Sequence, residues 1–192
     1  FIGSNFVHYV YKERPDWHIS VLDKLTYAGD EKNLDGLDPS SFTFIKGDIC
    51  DGKIVDRAMK GINVVVHFAA ETHVDRSLLD PAAFIKTNFL GTQVLLEAAL
   101  RHNIKRFNHI STDEVYGDLP LNSWRKFNEE SPIAPRSPYS ASKAGAELLV
   151  RSYVQSFEMP ATITNCSNNY GPYQDPEKFI PRMITNVIDG DK

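Results

Sequence analysis

Short hydrophobic runs alternate with helical segments along almost the whole chain, and this alternation restricts the fold more than any other feature. The runs are rich in Val, Ile and Phe and predict strands at 18–23, 42–46, 63–68, 106–111 and 161–166. Helices are predicted at 4–12, 51–60, 80–102, 137–157 and 181–188. Strands that are apolar on both faces indicate a parallel sheet covered by helices on each side. The predicted fold class is therefore α/β, a doubly wound parallel sheet of the Rossmann type.

Composition and charge restrict the partners and the cellular setting. The net charge of the 192 residues is −4 and no basic block occurs, so neither nucleic acid nor an anionic membrane is an expected partner. The two cysteines form no cluster with histidines, so no metal site is expected. No apolar run reaches the roughly 18 residues of a membrane helix, and no signal peptide is visible. We expect a cytoplasmic protein.

The spacing between a glycine and an aspartate indicates a dinucleotide site. Gly3 opens the first predicted helix, and Asp23 ends the next strand 20 residues later. A Rossmann unit places an acidic residue about 20 positions after its glycine-rich turn, where it binds the ribose hydroxyls. The charge of Asp23 favours NAD over NADP. A plain strand–turn–helix with a surface aspartate stays open as an alternative, since FIGS at positions 1–4 contains a single glycine and no strand precedes it. We expect the first strand of the sheet to be missing from this sequence.

A tyrosine and a lysine four residues apart form the centre of the predicted active site. Tyr139 and Lys143 share one face of a predicted helix, where an ammonium can bring the phenol pKa into a useful range. Chance alone produces this pair in many chains. The position of the pair decides for catalysis, because it lies one helix after the strand that ends at Ser111 and Thr112.

Two adjacent carboxyls, Asp113 and Glu114, follow that strand end, where ligands bind in open α/β sheets. A simple alcohol dehydrogenase needs only the hydroxyl, the tyrosine and the lysine. The extra carboxyls suggest further proton transfers, in which one group deprotonates carbon and the other protonates a leaving hydroxyl. An N-cap or a solvated loop acid is the alternative for both residues.

Six segments together resemble the dTDP-glucose 4,6-dehydratases, a branch of the extended short-chain dehydrogenases within the NAD-dependent epimerase/dehydratase family. They are FIGS (1–4), DKLTYAG (23–29), AAETHVDRS (69–77), STDEVYGD (111–118), SPYSASK (137–143) and NCSNNYGPY (165–173). The resemblance covers essentially the whole chain. One departure is Thr72, where this family usually has serine and where the hydroxyl is kept. The family's leading glycines and most of its carboxyl-terminal sugar-binding lobe are not present.

The resemblance implies a role for each catalytic residue. Tyr139 would take the proton from the sugar 4-hydroxyl, Thr112 would hydrogen-bond the 4-oxygen, and Lys143 would tune Tyr139. Glu114 would remove the C5 proton and Asp113 would protonate the departing 6-hydroxyl, which gives the 4-keto-6-deoxy sugar nucleotide. NAD would be regenerated in each cycle.

The resemblance also implies the binding residues and the domains. The residues for NAD would be Phe1, Ile2, Gly3, Asp23, Lys24, Leu25, Thr26, Asp48, Ile49, Phe68, Ala69, Ala70, Glu71, Thr72, Thr87, Tyr139, Lys143 and Asn169. Those for the sugar nucleotide would be Thr72, Thr112, Asn168, Lys178 and Phe179. Residues 1–167 would form the NAD-binding domain, and 168–192 the start of a smaller substrate lobe. The whole protein would be a homodimer through helices 80–102 and 138–157.

Three other functions stay open. A nucleotide-sugar 4-epimerase shares the fold, Asp23, Tyr139 and Lys143, but has no need for the pair Asp113 and Glu114. A dehydratase that acts on GDP-mannose or CDP-glucose is a closer alternative. A regulatory or scaffold protein that binds the cofactor with an inactive site is the third, and the intact set of catalytic residues argues against it.

Overall fold

The computed structural model describes residues 1–190 of the chain. Its five strands are β1 (Ile19–Asp23), β2 (Phe42–Lys46), β3 (Val64–His67), β4 (Arg106–Thr112) and β5 (Ala161–Cys166). The α-helices are α1 (Ile2–Glu13), α2 (Gly52–Met59), α3 (Val74–Leu79), α4 (Pro81–Phe84), α5 (Thr92–Arg101), α6 (Pro138–Phe157) and α7 (Phe179–Asp189). Short 3₁₀ turns lie at Glu31–Leu34 and Asp113–Tyr116, and a π-helical segment at Ile85–Gly91.

The strands form two parallel sheets. In the first sheet β1 pairs with β2, and Asp23 stands opposite Lys46. In the second sheet the order is β3–β4–β5, with His67 opposite His109 and Thr112 opposite Cys166. Parallel strands joined through helices are the arrangement of the Rossmann fold. The predicted α/β fold of the Rossmann type is confirmed.

Two compact units make up the chain. The first contains Phe1–Gly47 and the segment from Asn168 onward, and the second contains Asp48–Ser167. The second unit has the larger core, in which Phe107, Leu96, Val115 and Val150 are almost completely buried. In the first unit only Leu34 and Leu37 are buried among the described residues. The predicted division at residues 167 and 168 into a cofactor domain and a substrate lobe stays a prediction.

The predicted strands are confirmed with ends that shift by at most one residue. The predicted helix 80–102 is wrong in one respect, since it begins at the expected cap, where Asp80 accepts from the backbone N–H of Ala83, but changes to π-helical geometry at Ile85–Gly91. Gly91 lies in this segment, and a Cβ there would come within 2.5 Å of the Ile49 side chain. The lack of a side chain at Gly91 thus allows the close approach to Ile49.

Three smaller differences concern two helix starts and one additional helix. Helix α1 begins at Ile2, so Gly3 lies inside the first turn instead of opening the helix. Helix α7 begins at Phe179, two residues before the predicted start. The short helix α3 was not predicted. Within residues 1–190 no helix has both the length and the apolar character needed to cross a bilayer.

Candidate active site

The start of helix α6 places the tyrosine and the lysine. The Ser137 hydroxyl accepts from the backbone N–H of Ser140, and the Ser140 hydroxyl accepts from the Ser137 N–H, so the two serines cap the helix reciprocally. Pro138 occupies the first turn, where it needs no hydrogen-bond partner for its nitrogen. Tyr139 and Lys143 follow on one helical face and are only 7% and 4% exposed. The predicted pair is therefore fixed in a packed environment.

Tyr139 meets the other predicted catalytic residues at the end of β4. Burial and then the Glu114 carboxylate raise the pKa of Tyr139, a hydrogen bond with the Thr112 hydroxyl lowers it, and Asp113 raises it further. The sequence predicted that Lys143 brings this pKa down, but the balance in the structure is a raised pKa. The physical reason is that Tyr139 is buried near two carboxyls. The Lys143 ammonium has a hydrogen-bond partner of its own.

That partner is the backbone of β4. The Lys143 ammonium donates to the Ile110 carbonyl at 2.6 Å. Burial lowers the pKa of Lys143 to about 8, against the opposing influence of Cys166 and Glu147, which raise it. The lysine therefore changes charge close to physiological pH.

Thr112 links the strand to the two carboxyls. Its side chain accepts from the Glu114 N–H at 3.3 Å and caps the 3₁₀ turn Asp113–Tyr116. The cap at this turn is thus Thr112, and Asp113 and Glu114 are half-buried in its first turn. Gly117 ends the turn with a φ of 88°, where an added Cβ would lie 2.5 Å from the Ala134 carbonyl oxygen. A glycine is required at this position for both reasons.

A cleft of about 240 Å³ opens beside Glu114. An exposed ion pair between Arg136 and Asp118, at 3.2 Å, borders it. Its lining residues are Val74, Glu114, Gly117, Asp118, Arg136, Ser137 and Ser140. Glu114 can therefore meet a molecule that enters from solvent.

The loop after β3 is held by a residue that the sequence reasoning missed. Asn88, in the π-helical segment, accepts from the Glu71 N–H at 2.8 Å and donates to the Glu71 carbonyl at 3.0 Å. It also donates to the Ser142 hydroxyl on α6 at 2.8 Å. A single buried amide thus ties the predicted cofactor loop to the helix of Tyr139 and Lys143. Its position directly after the predicted Thr87 was the only signal in the sequence.

The remaining predicted residues of the second unit lie around this loop. Phe68, Ala69, Ala70 and Glu71 are half-buried after β3, and Thr72 is exposed. Asp48 accepts from the Cys50 N–H at 2.9 Å, and Ile49 is buried against Gly91. Thr87 is half-buried in the π-helical segment.

Asp23 ends β1 in the first unit, as predicted. It is exposed, and its Oδ1 accepts from the Leu25 N–H at 2.7 Å. Leu25 has a φ of 54°, and Gly29 approaches so closely that a Cβ there would lie 2.8 Å from the Leu25 Cα. The strand therefore runs into a tight turn that holds the Asp23 carboxylate; Lys24 and Thr26 lie exposed in the same turn.

Other predicted residues of the first unit lie at two helix starts and in a loop. Phe1 precedes α1, and Ile2 and Gly3 form its first turn. Lys178 and Phe179 lie at the start of α7, where Phe179 is 78% exposed. Asn168 and Asn169 are exposed after β5, and the Asn169 carbonyl accepts from Gln174.

A fully buried carboxylate on α6 was also missed. Glu147 accepts from Arg151 at 2.6 Å and from the Asn165 amide at 2.8 Å. The same amide donates to the Thr112 carbonyl at 3.2 Å. The signal in the sequence was the spacing of four, which places residue 147 on the helical face of Tyr139 and Lys143.

Several buried polar side chains lie near Lys143 on the neighbouring strands. His67, His109 and Ser111 are buried there on β3 and β4, and the His67 and His109 rings are 5.2 Å apart. The Thr92 hydroxyl donates its proton to the Asn88 carbonyl. In its hydrogen bond with His67 Nε2 the Thr92 hydroxyl must therefore accept, so His67 Nε2 carries the proton. Burial and Lys143 lower the pKa of both histidines, that of His67 to about 3. Both rings are therefore neutral at physiological pH.

Comparison with known proteins identifies the family. A family model described as GDP-mannose 4,6 dehydratase matches residues 1–192. The chain belongs to that family. The chain is also 53% identical over 190 residues to a dTDP-glucose 4,6-dehydratase of Mycobacterium tuberculosis. The matched region covers 99% of this chain and 57% of that protein. The resemblance to the dTDP-glucose 4,6-dehydratases is confirmed.

Two solved structures illustrate the likeness. DesIV, a dTDP-glucose 4,6-dehydratase from Streptomyces venezuelae with NAD and TYD bound, matches with a TM-score of 0.91 and 47% identity, over 99% of this chain and 60% of that one. A UDP-glucose 4-epimerase of Thermus thermophilus in complex with NAD matches with a TM-score of 0.87 and 31% identity, over 100% and 60%. The chain thus spans somewhat more than half the length of these relatives. Among the described residues no group of three His, Cys, Asp or Glu side chains is placed to hold a metal ion.

Proposed function

We propose that the protein carrying this chain is an NAD-dependent hydro-lyase that converts dTDP-glucose to dTDP-4-keto-6-deoxyglucose. The observation that carries the proposal is the arrangement at the end of β4, where Thr112 caps the turn of Asp113 and Glu114 and where all three residues influence the pKa of the buried Tyr139. With NAD as the hydride acceptor, a phenol and a hydroxyl can supply the proton transfer that the oxidation of an alcohol requires. The two additional carboxyls supply what an elimination of water requires, a base for carbon and an acid for the leaving hydroxyl.

The residues present fit NAD in each unit. In the first unit, the tight turn after β1 holds the exposed Asp23 carboxylate, whose charge suits ribose hydroxyls and opposes a 2′-phosphate. In the second unit, Ala69 and Ala70 after β3 have side chains small enough for a ligand to reach the backbone. NAD, when bound, supplies the oxidant for the alcohol at C4 and the reductant that completes the reaction at C6.

In the proposed mechanism Tyr139 and Thr112 act on the 4-oxygen of the sugar. Their side chains hydrogen-bond each other, so both can reach one substrate oxygen. Tyr139 accepts the proton of the 4-hydroxyl as the alcohol becomes a ketone. Because burial and Glu114 raise the pKa of Tyr139, the charged form of Lys143 on the same helical face is needed to favour the phenolate.

Glu114 and Asp113 carry out the proton transfers at C5 and at the 6-hydroxyl. The ketone at C4 acidifies the proton on C5, and Glu114, which lines the open cleft, removes it. Asp113 protonates the departing 6-hydroxyl, so that water leaves and the C5–C6 double bond forms. Glu114 then returns a proton to C5 as C6 is reduced. Two carboxyls can hold opposite protonation states when their surroundings differ.

The choice of substrate within the family is part of the proposal. Relatives named dTDP-glucose 4,6-dehydratase, at about half of all positions identical, support dTDP-glucose over GDP-mannose or CDP-glucose. A 4-epimerase is the second candidate, since the Thermus enzyme has a similar backbone. The pair Asp113 and Glu114 favours the dehydratase, because epimerisation at C4 involves no proton transfer at C5 or C6.

The test uses the intact protein with NAD and four sugar nucleotides, dTDP-glucose, GDP-mannose, CDP-glucose and UDP-glucose. We expect conversion of dTDP-glucose, with exchange of its C5 hydrogen into solvent. Glu114→Gln should abolish this exchange, and Tyr139→Phe should abolish the appearance of NADH fluorescence on mixing with substrate. Asp56→Asn, which breaks a surface ion pair with Arg101, is the control and should leave both signals unchanged.

Three outcomes would contradict the proposal. C5 exchange that persists in Glu114→Gln removes that residue from the elimination. Conversion of another sugar nucleotide in place of dTDP-glucose changes the substrate. Formation of the 4-epimer of a supplied UDP-glucose, without loss of water, replaces the dehydratase with the epimerase.

A homodimer in the cytoplasm completes the proposal. Helix α6 has apolar side chains that remain exposed on one face, including Val154 at 39% and Phe157 at 56%. An apolar helical face of this kind supports association with a second copy.

A further inference from the structure

We propose that Glu147 is a positioning residue, whose buried carboxylate keeps Lys143 in its charged form and, through Asn165, holds the backbone at Thr112 in place. The inference deepens the proposed function, on which it rests, by adding a residue that contacts neither substrate nor cofactor. It starts from the observation that Glu147 is completely buried, with a side-chain exposure of 0%. A buried carboxylate is costly unless its partners compensate it, so its presence calls for a physical reason.

The hydrogen bonds show that the group is an acceptor on both oxygens. Oε1 accepts from the Arg151 guanidinium at 2.6 Å, and Oε2 accepts from the Asn165 amide at 2.8 Å. A protonated carboxyl would have to donate from one oxygen, whereas an ionised carboxyl only accepts. Arg151 is 48% exposed, so solvent screens part of its charge. The carboxylate is thus a fixed negative charge inside the second unit.

This charge lies one helical turn after Lys143. Residues 139, 143 and 147 share one face of α6, and the Coulombic attraction of Glu147 raises the pKa of Lys143 against the effect of burial. The groups that face Lys143 from the neighbouring elements are His67 on β3, His109 on β4 and Cys166 on β5. Both histidines are neutral near pH 7. Glu147 is therefore the negative side chain that favours the ammonium from its own helix.

The second link runs through Asn165 to the strand end. The Asn165 amide nitrogen bridges Glu147 Oε2 and the Thr112 carbonyl, at 2.8 and 3.2 Å. Thr112 is the residue whose hydroxyl meets Tyr139 and whose side chain caps the turn of Asp113 and Glu114. The carboxylate thus connects both halves of the catalytic arrangement, the lysine on α6 and the hydroxyl on β4. Arg151 and Tyr116 are the other titratable groups that interact with it.

The first experiment measures the charge of Lys143 without substrate or cofactor. The pKa of Lys143 is about 8 in the folded state, against an ordinary 10.5 for a lysine in water, so the unfolded state binds more protons between these values. Stability should therefore rise with pH from about 8 upward, and this rise is lost when Lys143→Met removes the group. The difference in melting temperature between the two proteins, followed from pH 6 to 10, isolates the titration of Lys143.

Glu147→Gln should move the onset of this rise downward by about one pH unit, the lower end of what an adjacent opposite charge causes. Glu97→Gln is the matched control, since that glutamate also contacts α6, through the Tyr153 hydroxyl. The control should leave the onset in place. If Glu147→Gln does not fold, Glu147→Met replaces the charge with an apolar side chain of similar size and carries the same test. An unchanged onset in a folded variant overturns the proposal.

The second experiment follows the pH dependence of turnover in the intact protein. A shift of one unit predicts a rate for Glu147→Gln that is lower by about threefold at pH 7.5 and by about eightfold at pH 8.5. Asn165→Ala keeps the carboxylate but breaks the bridge, so it should lower the rate equally at every pH. A normal rate for Asn165→Ala overturns the role of the bridge.

The two experiments separate this inference from the proposed function. If the protein does not dehydrate dTDP-glucose but the onset of the stability rise still moves in Glu147→Gln, the proposed function fails and the electrostatic role of Glu147 stands. If the protein dehydrates dTDP-glucose but Glu147→Gln changes neither the onset of the stability rise nor the pH profile of turnover, the proposed function stands and the role of Glu147 is wrong.

Discussion

The two units of the chain differ in how firmly they hold their predicted functional residues. In Asp48–Ser167, Tyr139, Lys143 and Thr112 are all less than 9% exposed and hydrogen-bonded to a packed interior. In the unit of Phe1–Gly47 and the segment from Asn168 onward, neither α1 nor α7 contains a buried residue. Asp23 and Phe179 are exposed there. Three of the residues predicted for chemistry thus lie in a core, whereas several of those predicted for binding lie on the surface.

The difference follows from what each role requires. Proton transfer depends on pKa values that burial and nearby charges set, and those need a low-dielectric environment with fixed geometry. Binding of a ribose or a diphosphate can use exposed turns and helix starts, where backbone N–H groups are accessible. We therefore expect the two units to respond differently to substitution.

The largest expected difference concerns the cores. Phe107 is 1% exposed between β3 and β5, and Phe107→Ala should lower the free energy of unfolding by about 3–5 kcal/mol. Ile184 on α7 is 56% exposed, and Ile184→Ala should change it by less than about 0.5 kcal/mol. Urea denaturation of the intact protein, followed by circular dichroism, measures both. Equal losses would contradict the contrast between the units.

Acidification should destabilise the second unit through its buried histidines. His109 is fully buried, neither ring nitrogen has a hydrogen-bond partner among the described residues, and burial and Lys143 lower its pKa below the ordinary 6.5. The unfolded state therefore binds this proton first, and stability falls as pH drops below 6.5, by about 1.4 kcal/mol per pH unit for one histidine.

His109→Phe should remove one proton from this slope, which amounts to about 2–3 kcal/mol between pH 6.5 and 4.5. Phe107→Leu on the same strand is the control, because the stability that it costs should not depend on pH. The measurement is the free energy of unfolding from pH 7 down to 4.5. An acid slope that is unchanged in His109→Phe would show that the ring is not held neutral by its surroundings.

The smallest effect concerns the helix start that presents Tyr139. Ser137→Ala removes the reciprocal cap with Ser140 and should cost about 1 kcal/mol. Ser152→Ala, on the exposed side of the same helix, removes only a bond to the Leu149 carbonyl and should cost less. Thermal unfolding of both variants tests the comparison. Equal costs would mean that the cap contributes little beyond an ordinary serine hydroxyl.

Much of the fold could be predicted because its signals are local. Apolar runs marked all five strands, and Asp80 with Pro81 and Ser137 with Pro138 marked helix starts that the structure confirms. The π-helical segment was not predicted, and its Gly91 packs closely against Ile49, which is 42 residues away along the chain. The start of α1 was placed two residues late, because the chain offers no capping side chain there.

In the site, too, features with local signals could be predicted and features that depend on distant residues could not. The spacing of Tyr139 and Lys143 on one helical face and the carboxyls after Thr112 were readable from the sequence. The roles of Asn88 and Glu147 were not, because their partners Glu71 and Asn165 are distant along the chain. Nor could the sequence show that burial and Glu114 raise the pKa of Tyr139.

The sequence by itself determined the α/β fold and the family and predicted the residues that carry the chemistry, since hydrophobic periodicity and short motifs are properties of neighbouring residues. The tertiary structure decided how those residues are tuned. It placed Tyr139 near Glu114, the Lys143 ammonium on the Ile110 carbonyl, and the buried Glu147 one helical turn after Lys143. Protonation equilibria depend on such through-space distances and on exclusion from water.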